Sequence, residues 1–166
     1  MFDSIDRQII VILQQNARTT NADIARQLGM APSAILERIR KLENRGVIQG
    51  YEARLSPKAV GLGLLAFVFI RSDERAGADD TGLRLAEVPE VQEVHHVAGE
   101  DCYLAKVRAR DPEDLARILR ERFGAIPQVR STRSTIALGT LKESARLAVG
   151  QPDEPQVRAA EAGDAA

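Results

Sequence analysis

GMAPSAILERIRKLENRGVIQG, residues 29–50, reads as one short helix with a marked start, a marked end and two unlike faces. Pro32 suits the first helical position, because its fixed φ and missing N–H cost nothing there. Gly46 suits the end, where the backbone turns left-handed. At 100° per residue Ile35, Ile39 and Leu42 share one apolar face, while Ser33, Glu37, Arg40, Lys41 and Asn44 point away from it and Arg38 lies at the edge. Immediately before it, TTNADIARQLG (19–29) predicts a second short helix. Thr20 and Asp23 form a capping pair, Ile24, Ala25 and Leu28 form its inner face, and Gly29 ends it. Only Gly29, Met30 and Ala31 separate the two. That spacing is a helix-turn-helix, whose second helix fits the DNA major groove.

Upstream, residues 3–17 predict a first helix capped by Asp3, with Asp6 three residues on and Ile5, Ile9, Ile12 and Leu13 as its inner stripe. Three helices of this size bury little, so residues 1–50 make a minimal domain. They carry seven Lys/Arg and five Asp/Glu, residues 51–142 carry fourteen of each, and residues 143–166 carry two and five. A head so mildly basic gains little from phosphate neutralisation alone, which implies that two or more copies bind together.

The whole chain has 166 residues, 44% of them hydrophobic and 28% charged, a soluble globular composition. Its single cysteine, Cys102, permits neither an intramolecular disulfide nor a cysteine-based zinc site, and fits a reducing cytoplasm. The opening MFDSIDRQII lacks the pattern of a secretory signal. The longest apolar run, AVGLGLLAFVFI (59–70), is too short to span a membrane and reads as a buried strand. No membrane, metal or cofactor is therefore expected.

Downstream of residue 50 the periodicity changes. Residues 51–60 read as a strand-like linker, and residues 61–142 alternate strand and helix signals: strand 62–70, helix 79–88 with Leu83, Leu85, Ala86 and Val88, strand 91–98, strand 102–109, helix 111–124 and strand 129–138. The order β-α-β-β-α-β is the ferredoxin-like unit, two helices on one face of a four-stranded antiparallel sheet. The other face should be left as an association surface, giving an α+β chain that dimerises sheet to sheet. Residues 143–166, poor in large apolar side chains, are expected to be a disordered tail.

Four segments carry a resemblance: DSIDRQIIVILQQNART (3–19), PSAILERIRKLENRGVIQGY (32–51), VHHVAGEDCYLAKVRA (94–109) and VRSTRSTIALGTLKE (129–143). In this order and spacing they resemble the Lrp/AsnC family of bacterial and archaeal transcription regulators. The resemblance implies a sequence-specific regulator that binds a double-stranded DNA operator, dimerises through its ferredoxin-like domain, assembles further into octamers, and binds an amino acid between dimers. Two positions depart from the family pattern: Ala31 stands where many members have a capping Ser, and Cys102 where many have an acid.

For DNA the candidates are Ser33, Ala34, Glu37, Arg38, Arg40 and Lys41, since arginine pairs with guanine or holds phosphate, Ser33 donates to phosphate, and Ala34 fits a thymine methyl. For an effector they are Ala98, Gly99, Glu100, Asp101 and Cys102 with Thr132 and Ser134, where glycine admits a ligand close to the backbone and N–H and hydroxyl groups hold a carboxylate. A rival reading takes His95, His96, Asp101 and Cys102 as a metal or tetrapyrrole site on the architecture that siroheme decarboxylases share. Strand alternation opposes it, sending the two histidines to opposite faces, so no catalytic role is expected.

Overall fold

The computed structural model describes residues 3–75 and 77–149. The chain divides into two compact units: Met1–Ala53 together with Ser144–Ala166, and Arg54–Glu143.

The first unit holds α1 (Ser4–Gln15), α2 (Asn21–Leu28) and α3 (Pro32–Asn44). α1 and α2 begin where a side chain satisfies free N–H groups. Asp3 and Asp6 form a reciprocal capping box on α1, and the Thr20 hydroxyl accepts from Asp23 N at 3.1 Å on α2. α3 has no side-chain cap, as Ala31 implies, and starts on Pro32 alone. Gly29 and Gly46 take φ of 64° and 68°, the left-handed region that closes α2 and turns the chain after α3. Ile9, Ile10, Ile24, Ala25, Ile35, Ile39 and Leu42 are buried together. Ile10 was outside the expected stripe, whose Ile5, Ile12 and Leu13 are only partly buried around this core.

The second unit has β1 (Leu64–Ser72), α4 (Asp80–Ala86), β2 (Val91–His96), β3 (Tyr103–Ala109), α5 (Pro112–Ile118) continuing as a π-helical turn (Leu119–Phe123), and β4 (Val129–Ile136). All pairings are antiparallel in the order β2-β3-β1-β4, the ferredoxin-like topology. Ala66, Val68 and Ile70 of β1 and Tyr103, Ala105, Val107 and Ala109 of β3 are buried with Leu85, Leu115, Ile118 and Phe123. The turn that ends the second helix admits only glycine at position 124: a Cβ there would lie 2.5 Å from the Arg120 carbonyl oxygen.

Four expectations are corrected. On α4 Leu83 is 65% exposed, whereas Thr81, Leu85 and Val88 are buried, because that i, i+4, i+7 row faces the sheet and Leu83 falls opposite it. Residues 51–60 join no ladder among the described strands, since extended sequence becomes a strand only where a neighbour accepts its hydrogen bonds. The second sheet face is not bare: Lys106 and Arg108, which alternation places there, are bound by the Glu143 carboxylate at 2.5 and 2.8 Å, which shields these charges. Residues 143–149 are therefore no free tail. The Gln14 side-chain amide brackets the Leu147 backbone, accepting from its N–H at 2.7 Å and donating to its carbonyl at 3.1 Å, and Val149 packs on the helical core. The remainder of the expected tail, 150–166, lies outside the described residues.

A buried carboxylate pins the start of α5. Asp114 accepts from Arg110 through side chain (3.0 Å) and backbone (3.1 Å) and from Arg117 at 2.8 Å, so its carboxyl is held far below the usual range, by the Arg110 side chain first. A carboxyl whose folded pKa lies below its unfolded value, about 3.9, contributes stability that is complete above that pH and lost as pH falls through the folded value. Acid unfolding of the wild type should therefore steepen below about pH 4. The Asp114→Asn variant should be less stable at neutral pH and flatter below it. Denaturant midpoints measured from pH 7 to pH 2 check this, and parallel curves for the two proteins would refute it.

Candidate nucleic-acid interface and effector turn

Burying Ile35, Ile39 and Leu42 leaves the opposite side of α3 open. Ser33, Glu37, Arg40, Lys41 and Asn44 are exposed along it, and Ala34 is half-buried. Leu36 is 37% exposed on the same side, one turn from Ser33 and from Arg40. The sequence reading missed it, although an apolar residue about 85° from the centre of a polar face was the available signal. Glu37 and Lys41 pair at 2.6 Å, and Lys41 lowers the Glu37 carboxyl. Both side chains are about two-thirds exposed (69% and 66%), so the pair opens readily to a competing phosphate.

Arg38 departs from the expectation. Its Nη1 donates to Asp3 Oδ2 and Asp6 Oδ1, each at 2.7 Å, and its side chain is only 30% exposed. These two carboxylates raise the Arg38 pKa, and the Asp3 carboxyl is lowered by its hydrogen bond from Asp6 N and then by Arg38. Beside the pair lies a depression of about 300 Å³ whose lining mixes Asp6 and Glu37 with Arg38, Lys41 and Arg45, so it has no dominant sign of charge. Where α3 ends, Tyr51 donates to Glu43 at 3.0 Å and its phenol is pushed up to about 12, by burial first and then by Glu43.

In the second unit the turn between β2 and β3 carries the effector candidates. Val97 N donates to Cys102 O and Cys102 N to Ile70 O, each at 2.9 Å, fixing the turn to β1. Gly99 has φ of 134°, and Ala98, Gly99 and Glu100 are exposed. Asp101 accepts from Arg133 Nη2 at 2.9 Å, and the Arg133 guanidinium lies over the Phe69 ring at 4.1 Å, an electrostatically favourable stack. Sequence reasoning passed over Arg133. Thr132 and Ser134 are not gathered with the turn: Thr132 pairs with Ile70 and Ser134 with Val68, which places both on the helix side of the sheet, opposite Arg133. The Cys102 thiol donates to the Ser72 carbonyl at 3.6 Å.

The side chains of the rival reading also diverge. His95 Nε2 lies 3.3 Å from Glu93, whereas His96 stacks on Tyr103 at 4.9 Å with Nδ1 3.3 Å from Asp79. The register pairs His95 with Leu104 and His96 with Tyr103, on opposite faces. Among the described residues no three His, Cys, Asp or Glu side chains are grouped as a metal would need.

Comparison with known proteins agrees with both halves of this description. Residues 2–49 match the winged helix-turn-helix DNA-binding family, and residues 65–147 match the Lrp/AsnC ligand binding domain. Over 138 residues the chain is 41% identical to the HTH-type transcriptional regulator LrpA of Mycobacterium tuberculosis, covering 83% of this chain and 91% of that protein. It is 36% identical over 151 residues to the leucine-responsive regulatory protein of Escherichia coli, covering 89% and 91%. A transcriptional regulator of Neisseria meningitidis in complex with L-methionine has a TM-score of 0.80 at 29% identity, covering 89% of this chain and 96% of that one. The feast or famine regulatory protein of M. tuberculosis complexed with L-methionine has a TM-score of 0.81 at 38% identity, covering 89% and 99%.

Proposed function

The chain belongs to the Lrp/AsnC family of transcription regulators, and from that premise we propose which of its surfaces reads the operator and which one binds the effector. The outer side of α3 reads double-stranded DNA. The observation that carries this is a helix with one side sealed into the core and Ser33, Leu36, Arg40 and Lys41 exposed on the other. Arg40 and Lys41 supply charge for phosphate or guanine, Ser33 a donor near the helix start, and Leu36 and Ala34 apolar contact for a thymine methyl. Glu37 guards Lys41 until phosphate displaces it.

The effector is a small amino acid held at the turn 98–102. Gly99 gives close access to the backbone, Glu100 and Asp101 offer acceptors for an ammonium group, and Arg133 offers a guanidinium for the carboxylate once Asp101 is displaced. Cys102, engaged with the Ser72 carbonyl, contributes backbone rather than charge. Thr132 and Ser134 face the other side of β4, so they join a pocket only if another protomer brings its turn to them. A site completed between subunits ties binding to assembly, and we read the protein as a dimer capable of growing to an octamer. No helix among the described residues is long and apolar enough to cross a membrane. Operator binding places the protein in the cytoplasm, and no catalytic role is assigned to it.

L-methionine, the amino acid carried by two of the similar structures, is the first ligand to test. Calorimetry with the twenty amino acids is expected to give at least one binder, with Gly99→Asp weakening it and Cys102→Ala leaving it largely intact. The reverse order, or no binder at millimolar concentration, contradicts this pocket. Mapping bound DNA across the genome with and without that ligand tests the operator reading.

A further inference from the structure

The position of Arg38 near the operator-reading face would make it one more cation for DNA. Its surroundings give it a different task. Asp3 and Asp6 have four carboxylate oxygens between them, and all four are committed: Asp3 Oδ1 to Asp6 N at 2.8 Å, Asp6 Oδ2 to Asp3 N at 3.3 Å, and the remaining two to Arg38 Nη1. The capping box that begins α1 is thus also the socket for a side chain from the middle of α3, 32 and 35 residues further along. Two carboxylates and one guanidinium sum to one negative charge, so a phosphate meets net repulsion there. On the helical wheel Arg38 lies about 140° from Ser33, towards α1 and away from the outer face.

We infer that Arg38 is a positioning residue rather than a DNA contact: clamped by the α1 capping box, it sets the orientation at which α3 presents Ser33, Leu36 and Arg40 to the groove. This rests on the reading of α3 as the operator-binding helix and deepens it. Two carboxylates holding one guanidinium resist both rotation of α3 about its axis and sliding along α1, which a single apolar contact does not. The arrangement also accounts for an acidic pair beside a surface that binds a polyanion: the acids face inward to the arginine.

Salt dependence separates the two roles, because each lost phosphate contact reduces the slope of log K against log salt by about 0.9, whereas misorientation lowers affinity without removing a fixed number of counterions. Full-length wild type, Arg38→Met, Arg38→Lys and the double variant Asp3→Asn/Asp6→Ala are titrated against one operator duplex at several salt concentrations, with circular dichroism melts alongside. Asparagine at position 3 keeps the α1 cap, so the double variant removes the clamp but not the helix start. Expected are a loss of about tenfold or more for Arg38→Met with an unchanged slope, recovery to within about threefold in Arg38→Lys, and weakened binding by the double variant. The double variant decides most sharply, since a DNA-contacting Arg38 would be freed while two negative charges disappear, and binding would tighten with a steeper slope. Tightening there, or a slope reduced by about 0.9 per head in Arg38→Met, overturns the proposal. Should Arg38→Met fail to fold, the double variant and Arg38→Lys still give the sign. Absence of operator binding by the wild type would instead sink the underlying reading of α3.

Discussion

Replacing Arg40 and Lys41 together by alanine is expected to lower operator affinity by about a hundredfold or more for each engaged head. These are the exposed cations on the outer side of α3: among the described residues Arg40 is exposed, and Lys41 is held by its solvent-exposed pairing with Glu37. The loss of Lys41 has a second consequence, because it leaves the Glu37 carboxylate facing the phosphates uncompensated. A dimer carries the change twice, so the effect on a two-headed complex multiplies. The fold should be indifferent, since exposed substitutions away from caps and cores usually shift stability by no more than about 0.5 kcal/mol. Fluorescence anisotropy on a mapped operator, with thermal melts of both proteins, tests this. Unchanged affinity would remove α3 from the interface.

The other large effect is structural. Phe123 is fully buried at the end of the π-helical turn, packed in the core with Ile118, Leu115 and residues of β1 and β3. Phe123→Ala removes a ring from a close-packed interior and should cost about 3–5 kcal/mol. Against a typical total of about 5–15 kcal/mol, that brings the sheet unit close to unfolding. The helical unit has a core of its own, centred on Ile9, Ile24 and Ile35, and should be spared. Hydrogen exchange is therefore expected to accelerate across β1 and β3 while α1, α2 and α3 keep their protection. Uniform loss in both units, or no change in either, would contradict the division of the core.

Much of the fold was legible because its signals are local. Capping by Asp3 and Thr20, Pro32 at the start of α3 and left-handed Gly29 and Gly46 act within one turn of themselves. Strand alternation needs only a period of two, which suffices to put His95 and His96 on opposite faces and to dissolve the enzyme-like cluster suggested by their closeness in sequence. The resemblance of four segments then identified the family, which composition and periodicity alone do not reach.

The candidate sites were less legible. That Arg38 is solvent-facing or clamped depends on which carboxylates α1 delivers to it, and those lie 32 and 35 residues away. Thr132 and Ser134 looked like partners of the turn 98–102, but the register between β1 and β4 turns them from it and brings Arg133 to Asp101 instead. Glu143, assigned to a tail, proved to be the counter-ion of Lys106 and Arg108, because those charges on the sheet draw a carboxylate from wherever the chain passes. The sequence by itself determined the order of the helices and strands and the apolar side of most of them, with Leu83 and the 51–60 linker as exceptions, since caps, glycine and periodicity act over a few residues. Only the tertiary structure decided which charge meets which, because ion-pair partners and strand register are chosen between segments far apart in the chain, by packing that no local pattern encodes.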